Sequence, residues 1–118
     1  MSFTHSIMFH HFHNDKHLPA QGSLSETDFE EMLDWLDKKY NLIGANNYLQ
    51  KLKTNCLSNE DICLSFDYAL LCQYDIALPF LNIRNLDPFF FIYSSAFIGD
   101  HISFEIFRHF RSNCSDSL

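Results

Sequence analysis

The chain has 118 residues, 47% of them hydrophobic and 16% aromatic, with 13 Phe. That is enough apolar material for one core, so the composition excludes a disordered chain and predicts a single domain. Fifteen acidic residues against eight basic ones give a net charge of −7 with His neutral. This argues against nucleic acid as a partner, because phosphate binding needs clustered Lys and Arg.

No stretch is long and apolar enough to span a bilayer. The start, Met1-Ser2-Phe3-Thr4-His5, lacks the basic and apolar regions of a secretory signal. Cys56, Cys63, Cys72 and Cys114 show no C-x-x-C spacing. Cys63 and Cys72 fall in predicted buried elements and are expected to be free core thiols. The expected compartment is a reducing cytoplasm.

In chain order, Ser6-Ile7-Met8-Phe9-His10 predicts a first strand. The polar loop from His10 to Gly22 follows. It concentrates histidine: five of the seven His lie within the first 17 residues. His10, His11, His13 and His17 beside Asp15 are the raw material of a divalent-metal site. The plain alternative is a polar loop that is rich in His by chance. Ser25-Glu26-Thr27-Asp28 resembles a capping box, with Asp28 where Glu or Gln is commoner. A helix is expected from there to about Lys39, with Phe29, Met32, Leu33, Leu36 and Tyr40 as its apolar stripe. Glu30, Glu31, Asp34 and Asp37 are expected to be a solvated face, and Trp35 to be partly packed. Tyr40-Asn41-Leu42-Ile43 is a short strand candidate. Ala45 to Lys53 predicts a short helix with Tyr48, Leu49 and Leu52 inward. Thr54 to Asp61 is a polar loop.

Ile62-Cys63-Leu64-Ser65-Phe66 is apolar on both faces, as a buried strand is. Asp67 comes next. From about Gln73, the residues Tyr74, Ala77, Leu78 and Leu81 recur at helical spacing, with Pro79 placed to bend or end that helix. Asn82 to Asp87 is a return turn. Pro88-Phe89-Phe90-Phe91-Ile92-Tyr93 predicts another strand covered on both faces. Ser94-Ser95 ends it. Phe97 to Ser103 is a loop, and Phe104, Ile106, Phe107 and Phe110 suggest a last helix followed by a polar tail. Strand and helix alternate throughout, which predicts an α/β fold with a parallel sheet. Asp67 then stands at the carboxyl end of a strand, where such folds build active sites. On periodicity alone it reads equally as a helix cap or a turn residue.

The run S-F-D-Y-A-L-L-C-Q-Y-D-I-A-L-P-F-L, followed by F-F-F-I-Y-S-S, resembles the first motif of the polysaccharide deacetylase (NodB-homology) family. That family carries T-F-D-D-G, or D-D-A in some branches, at the end of a barrel strand. The resemblance implies a partial (β/α) barrel of the deacetylase type, about the first four β/α units. Residues 1–118 would form an incomplete domain of that kind, since a full barrel takes about 250 residues. It further implies that Asp67 is the general base for hydrolysis of acetyl groups on a carbohydrate, with a zinc-like divalent metal. The family's second Asp, a metal ligand, corresponds to Tyr68, and a phenol is a poor replacement for a carboxylate. The downstream H-S/T-x-x-H motif that completes the family's ligands has no counterpart; the spacing of His101 and His109 does not match it. His10, His11, His13 and Ser94 are substrate-side candidates.

Three functions follow. The first is a deacetylase-like protein, inactive or incomplete as this chain alone. The second is a non-catalytic glycan-binding or assembly module. The third is a metal-binding His loop unconnected with sugars. A partial barrel also leaves strand edges open, which predicts a homo-oligomer or a missing C-terminal half as partner.

Overall fold

The strand that precedes Asp67 is the centre of the molecule. In the computed structural model, which describes residues 5–99 together with Ile106, His109, Ser112 and Asn113, all six residues of this strand are buried. It is the third strand, β3 (Asp61–Phe66), and its neighbours all run parallel to it. The first strand, β1 (His5–Phe9), pairs along its length, from His5 with Ile62 to Phe9 with Phe66. A strand has only two hydrogen-bonding edges. The other edge is therefore divided: β2 (Asn41–Leu42) takes its start and β4 (Phe89–Phe90) takes its end. The sheet is parallel and open, as expected of a partial barrel.

Helix α1 (Glu26–Lys39) starts where the capping box placed it. The Asp28 N–H donates to Ser25 Oγ, and the Ser25 N–H donates to Asp28 Oδ2, so Asp serves where Glu is commoner. Phe29, Leu33 and Leu36 are buried. Trp35 is half exposed with Lys39 Nζ 4.9 Å above its ring. Asp34 is not merely solvated, because Arg84 donates to it. The Arg84 guanidinium holds that carboxyl below the usual carboxylate range. Phe9, Phe12, Phe29 and Phe66 form the centre of the core. Phe12 meets Phe29 edge-on at 4.9 Å, while Phe9 and Phe66 stack at 5.3 Å, both favourable ring geometries. Cys63 is a free buried thiol and Cys56 a free exposed one, and Cys72 is buried; burial pushes the Cys63 thiol up.

Four expectations need correction. Asp61 is no loop residue: it opens β3 and is buried. Helix α2 (Ala45–Lys53) buries none of its residues. Leu49 and Leu52 are exposed, and only Tyr48 turns in, edge-on to Phe89. The expected six-residue strand at Pro88–Tyr93 is two residues long. The Phe91 N–H still donates to the Phe66 carbonyl, but β3 ends at Phe66 and offers nothing further to pair with. Phe91, Ile92 and Tyr93 are accordingly exposed rather than covered on both faces. Ser94 opens a 3₁₀ turn (Ser94–Ile98) that takes the first part of the predicted Phe97–Ser103 loop.

The fourth correction concerns Pro79. The helical segment begins two residues earlier than expected, at Leu71, and continues past the proline to Ile83. It runs as a π-helical turn (Gln73–Ala77) and then α3 (Leu78–Ile83). A proline cannot donate to the carbonyl four residues back and its ring crowds that carbonyl. Just before Pro79 the ladder widens, and the Leu78 N–H reaches back five residues to Gln73 O. The buried face is one residue out of step with the expected one. Tyr74 is exposed, whereas Gln73, Ile76 and Ala77 are buried. Of the predicted last helix, Ile106 is described, helical and exposed; Phe104, Phe107 and Phe110 lie outside the described residues, as does Cys114.

Candidate functional site

Asp67 is the first residue beyond β3, at its carboxyl end. Its N–H continues the ladder to the Phe9 carbonyl at 3.3 Å. The chain then turns through two left-handed residues in succession, Tyr68 (φ 73°) and Ala69 (φ 50°). For residues with a Cβ, such backbone persists only when the surroundings over-determine it. Here Gln73 does so. Its side-chain amide donates to the carbonyls of Asp67 at 2.6 Å and His10 at 2.8 Å, and its Oε1 accepts from the Leu70 N–H at 3.3 Å. Gln73 is 1% exposed, so its own end of each bond lies away from water, which strengthens the bond.

His10 faces Asp67 from the end of β1. Its Nε2 is 3.5 Å from Asp67 Oδ2, and both side chains are partly open to solvent. The separation is longer than the roughly 2.6–3.2 Å of a direct proton-transfer contact, as such pairs often are before substrate binds. The His10 ring lies 5.5 Å from that of Tyr68, which stacks on Tyr93 at 5.2 Å. A carboxylate, an imidazole and two phenol rings thus share one rim. Beside it, a groove of about 310 Å³ runs between the Ala69-Leu70 turn, Tyr74 and Leu78, and Phe90 and Ile92 of the β4 segment. Its walls are mainly apolar, so any recognition of a polar ligand falls to the rim.

The remaining candidates separate from this pair. His11 is buried behind His10, their rings 6.5 Å apart. His13 Nδ1 shares a 2.8 Å hydrogen bond with Ser23 Oγ, which in turn donates to the Ala20 carbonyl. His17 Nε2 pairs with Asp75 Oδ2 at 2.7 Å, and Asn14 Oδ1 accepts from the N–H groups of Lys16 and His17. The His-rich loop is therefore folded onto α1 and the π-helical turn, with histidine as its fastening. Ser94 is exposed, one residue beyond Tyr93. Gln73 has no place among the sequence candidates. Its signal was a glutamine inside an apolar run, at helical spacing from Ile76, Ala77 and Leu81.

Among the described residues the donor set does not make up a divalent-ion site. Zinc in catalytic sites takes three protein ligands of the His, Asp, Glu or Cys type. Among the described residues no three such side chains converge. At the rim, the position after Asp67 is Tyr68, whose ring is engaged with His10 and Tyr93.

No family model matches the sequence, and no curated protein matches it. Solved structures do. A de-N-acetylase from Aggregatibacter actinomycetemcomitans superposes with a TM-score of 0.64 at 18% identity, over 80% of this chain and 39% of that one. The Streptococcus pyogenes deacetylase PplD, solved in complex with acetate, gives 0.63 at 19% identity, over 82% and 46%. The chain thus has the β/α fold of these deacetylases over most of its length, and it spans less than half the length of either.

Proposed function

We propose that the chain is a polysaccharide deacetylase-like protein in which Asp67 has the general-base role, and that these residues alone do not complete the reaction. Hydrolysis of an acetamide requires a base to take a proton from water as it adds to the carbonyl. The C–N bond then breaks, and the amine leaves with a proton. The single observation that carries the assignment is the placement of Asp67. It follows a buried parallel strand, on a left-handed turn, with an imidazole 3.5 Å from its carboxylate. His10 is the group that can exchange a proton with it. The incompleteness follows from the donor set: Tyr68 stands beside Asp67 in place of a second carboxylate, so no step is routed through a metal. His11 and His13 serve the loop's own structure in this reading. Ser94 stays a substrate-side candidate by position.

The test is acetyl release from acetylated chito-oligosaccharide with zinc or cobalt present; this chain alone is expected to give none, and any release it does give is then measured in Asp67→Asn. Release that disappears in Asp67→Asn supports the base. Release that survives Asp67→Asn removes it.

A second reading, a non-catalytic glycan-binding or assembly module, is favoured by one feature. Tyr68 and Tyr93 present stacked rings on the rim, and aromatic faces pack well against sugar rings. Oligosaccharide binding that is lost in Tyr93→Ala and kept in Asp67→Asn, without acetyl release, selects this reading. The open sheet also supports pairing with another chain, either a second copy or a separate C-terminal half. Sedimentation of the purified chain as a monomer at all concentrations would exclude the homo-oligomer.

A further inference from the structure

We infer that Gln73 is the positioning residue of the site, the group that sets the distance between Asp67 and His10. The inference rests on the reading of Asp67 as the reacting carboxylate, but its geometry can be tested without turnover. Asp67 and His10 come from different strands, 57 positions apart in the chain. Two kinds of contact join their backbones. One is the β1–β3 ladder, whose last bond, from the Asp67 N–H to the Phe9 carbonyl, is long at 3.3 Å. The other is the Gln73 amide. One NH₂ group has two hydrogens, and here each has its own carbonyl, that of His10 and that of Asp67. The two residues whose side chains meet are therefore held by one planar group. Its third bond, from the Leu70 N–H, fixes the far end of the left-handed turn. An apolar side chain of the same length has no such bonds. A carboxylate there would set its oxygens against two carbonyl oxygens.

Gln73 opens the π-helical turn before Pro79 and shares one buried face with Ile76, Ala77 and Leu81, the i, i+3, i+4, i+8 spacing of a helix side turned to the core. π-helical turns are frequent at functional sites. His17 and Asp75 add a second tie between the His-rich loop and the same turn, so the loop that carries His10 is held at both ends.

The experiment follows the ¹⁵N resonance of His10 Nε2 in the full chain. With Gln73 present, Asp67→Asn shifts it, because the imidazole loses its carboxylate partner. In Gln73→Leu and in Gln73→Glu that response is largely lost while the near-UV circular dichroism of the fold is kept. An equal response in all three backgrounds overturns the inference, as does no response with Gln73 present. Should both variants unfold, hydrogen exchange of the unaltered protein decides. The two side-chain amide protons of Gln73 are expected to be protected, and exchange at the rate of an exposed glutamine overturns the assignment. If the complete site turns over acetylated substrate, Gln73→Leu lowers kcat roughly a hundredfold, the usual consequence of a misplacement near 1 Å, with little change in KM. A chain that shows the His10 response while acetyl release survives Asp67→Asn refutes the reading of Asp67 as the base and leaves the positioning role intact.

Discussion

The two ends of β3 carry one aspartate each, and the fold treats them in opposite ways. Asp61, at the amino end, is 1% exposed. It accepts from the Ser58 N–H at 2.9 Å, from Asn41 Nδ2 at 2.7 Å and from Lys51 Nζ at 3.0 Å. The Ser58 N–H, ahead of Asn41 and Lys51, holds its pKa down at about 2. It lies just beneath solvent, with the partly exposed Lys51 as its lid. Asp67, at the carboxyl end, keeps its carboxylate partly open, with His10 Nε2 at 3.5 Å. What distinguishes them is how many bonds the carboxylate already has. A carboxylate with every lone pair engaged fastens a strand to a helix. One held by its backbone, with the side chain left available, can exchange a proton.

The comparison predicts its largest effect at Asp61. Asp61→Ala removes bonds to three donors, each worth roughly 1 kcal/mol net, and should cost about 3 kcal/mol in denaturant unfolding. The loss falls on β2 and α2 as well as β3, because Asn41 and Lys51 belong to those elements. A loss no larger than that of an exposed aspartate on α1 would place Asp61 with the solvated charges.

Acid tests the same residue without mutation. Its folded pKa is depressed, so its contribution is fully present above the unfolded value near 4 and disappears as pH falls toward 2. About 2 kcal/mol of stability should be lost over that window, slightly less than the full linkage value because Lys51 is partly solvated. In Asp61→Asn that portion of the acid slope should be absent. An unchanged slope would assign acid unfolding to other carboxylates.

How much of this was legible in the sequence depends on how far each feature relies on local pattern. Helix α1 was legible to its cap, because Ser25, Asp28 and the Phe29-Leu33-Leu36 stripe are all local signals. Asp67 was legible as a strand-end acid because β3 is an unbroken apolar run. The role of Asp61 was not, since a loop acid and a buried strand acid look alike until Asn41 and Lys51 arrive from elsewhere. Gln73 was hidden because its partners, the carbonyls of His10 and Asp67, lie outside the helical segment that carries it. The length of β4 depended on where β3 stops, which no reading of Phe89 to Tyr93 contains. His10 was visible among its neighbours, but its separation from His11 and His13 came from long-range partners.

A smaller effect lies in the turn after Asp67. Ala69 is exposed and left-handed, at φ 50°. For a residue with a Cβ that backbone costs roughly 1–2 kcal/mol, and glycine returns part of the gain as chain entropy. Ala69→Gly should therefore stabilise the chain by about 0.5 kcal/mol. Tyr68 is left-handed as well, but glycine there would forfeit the stack on Tyr93. No gain at Ala69 would mean that the bonds of Gln73, and not local backbone preference, set the turn completely.

The smallest effect on stability is expected at Asp67, and it is the one that most sharpens the contrast. Asp67→Asn keeps the backbone N–H bonded to Phe9 and the carbonyl bonded to Gln73, because both belong to the main chain. What is lost is the interaction with a partly exposed imidazole at 3.5 Å. Partly solvated pairs of this kind contribute about 0.5 kcal/mol or less. Thermal unfolding of Asp67→Asn should therefore nearly overlay that of the unaltered chain, whereas Asp61→Asn should not. A loss at Asp67 as large as the loss at Asp61 would make it a second structural fastening, and the carboxyl end of β3 would then hold no acid free to act.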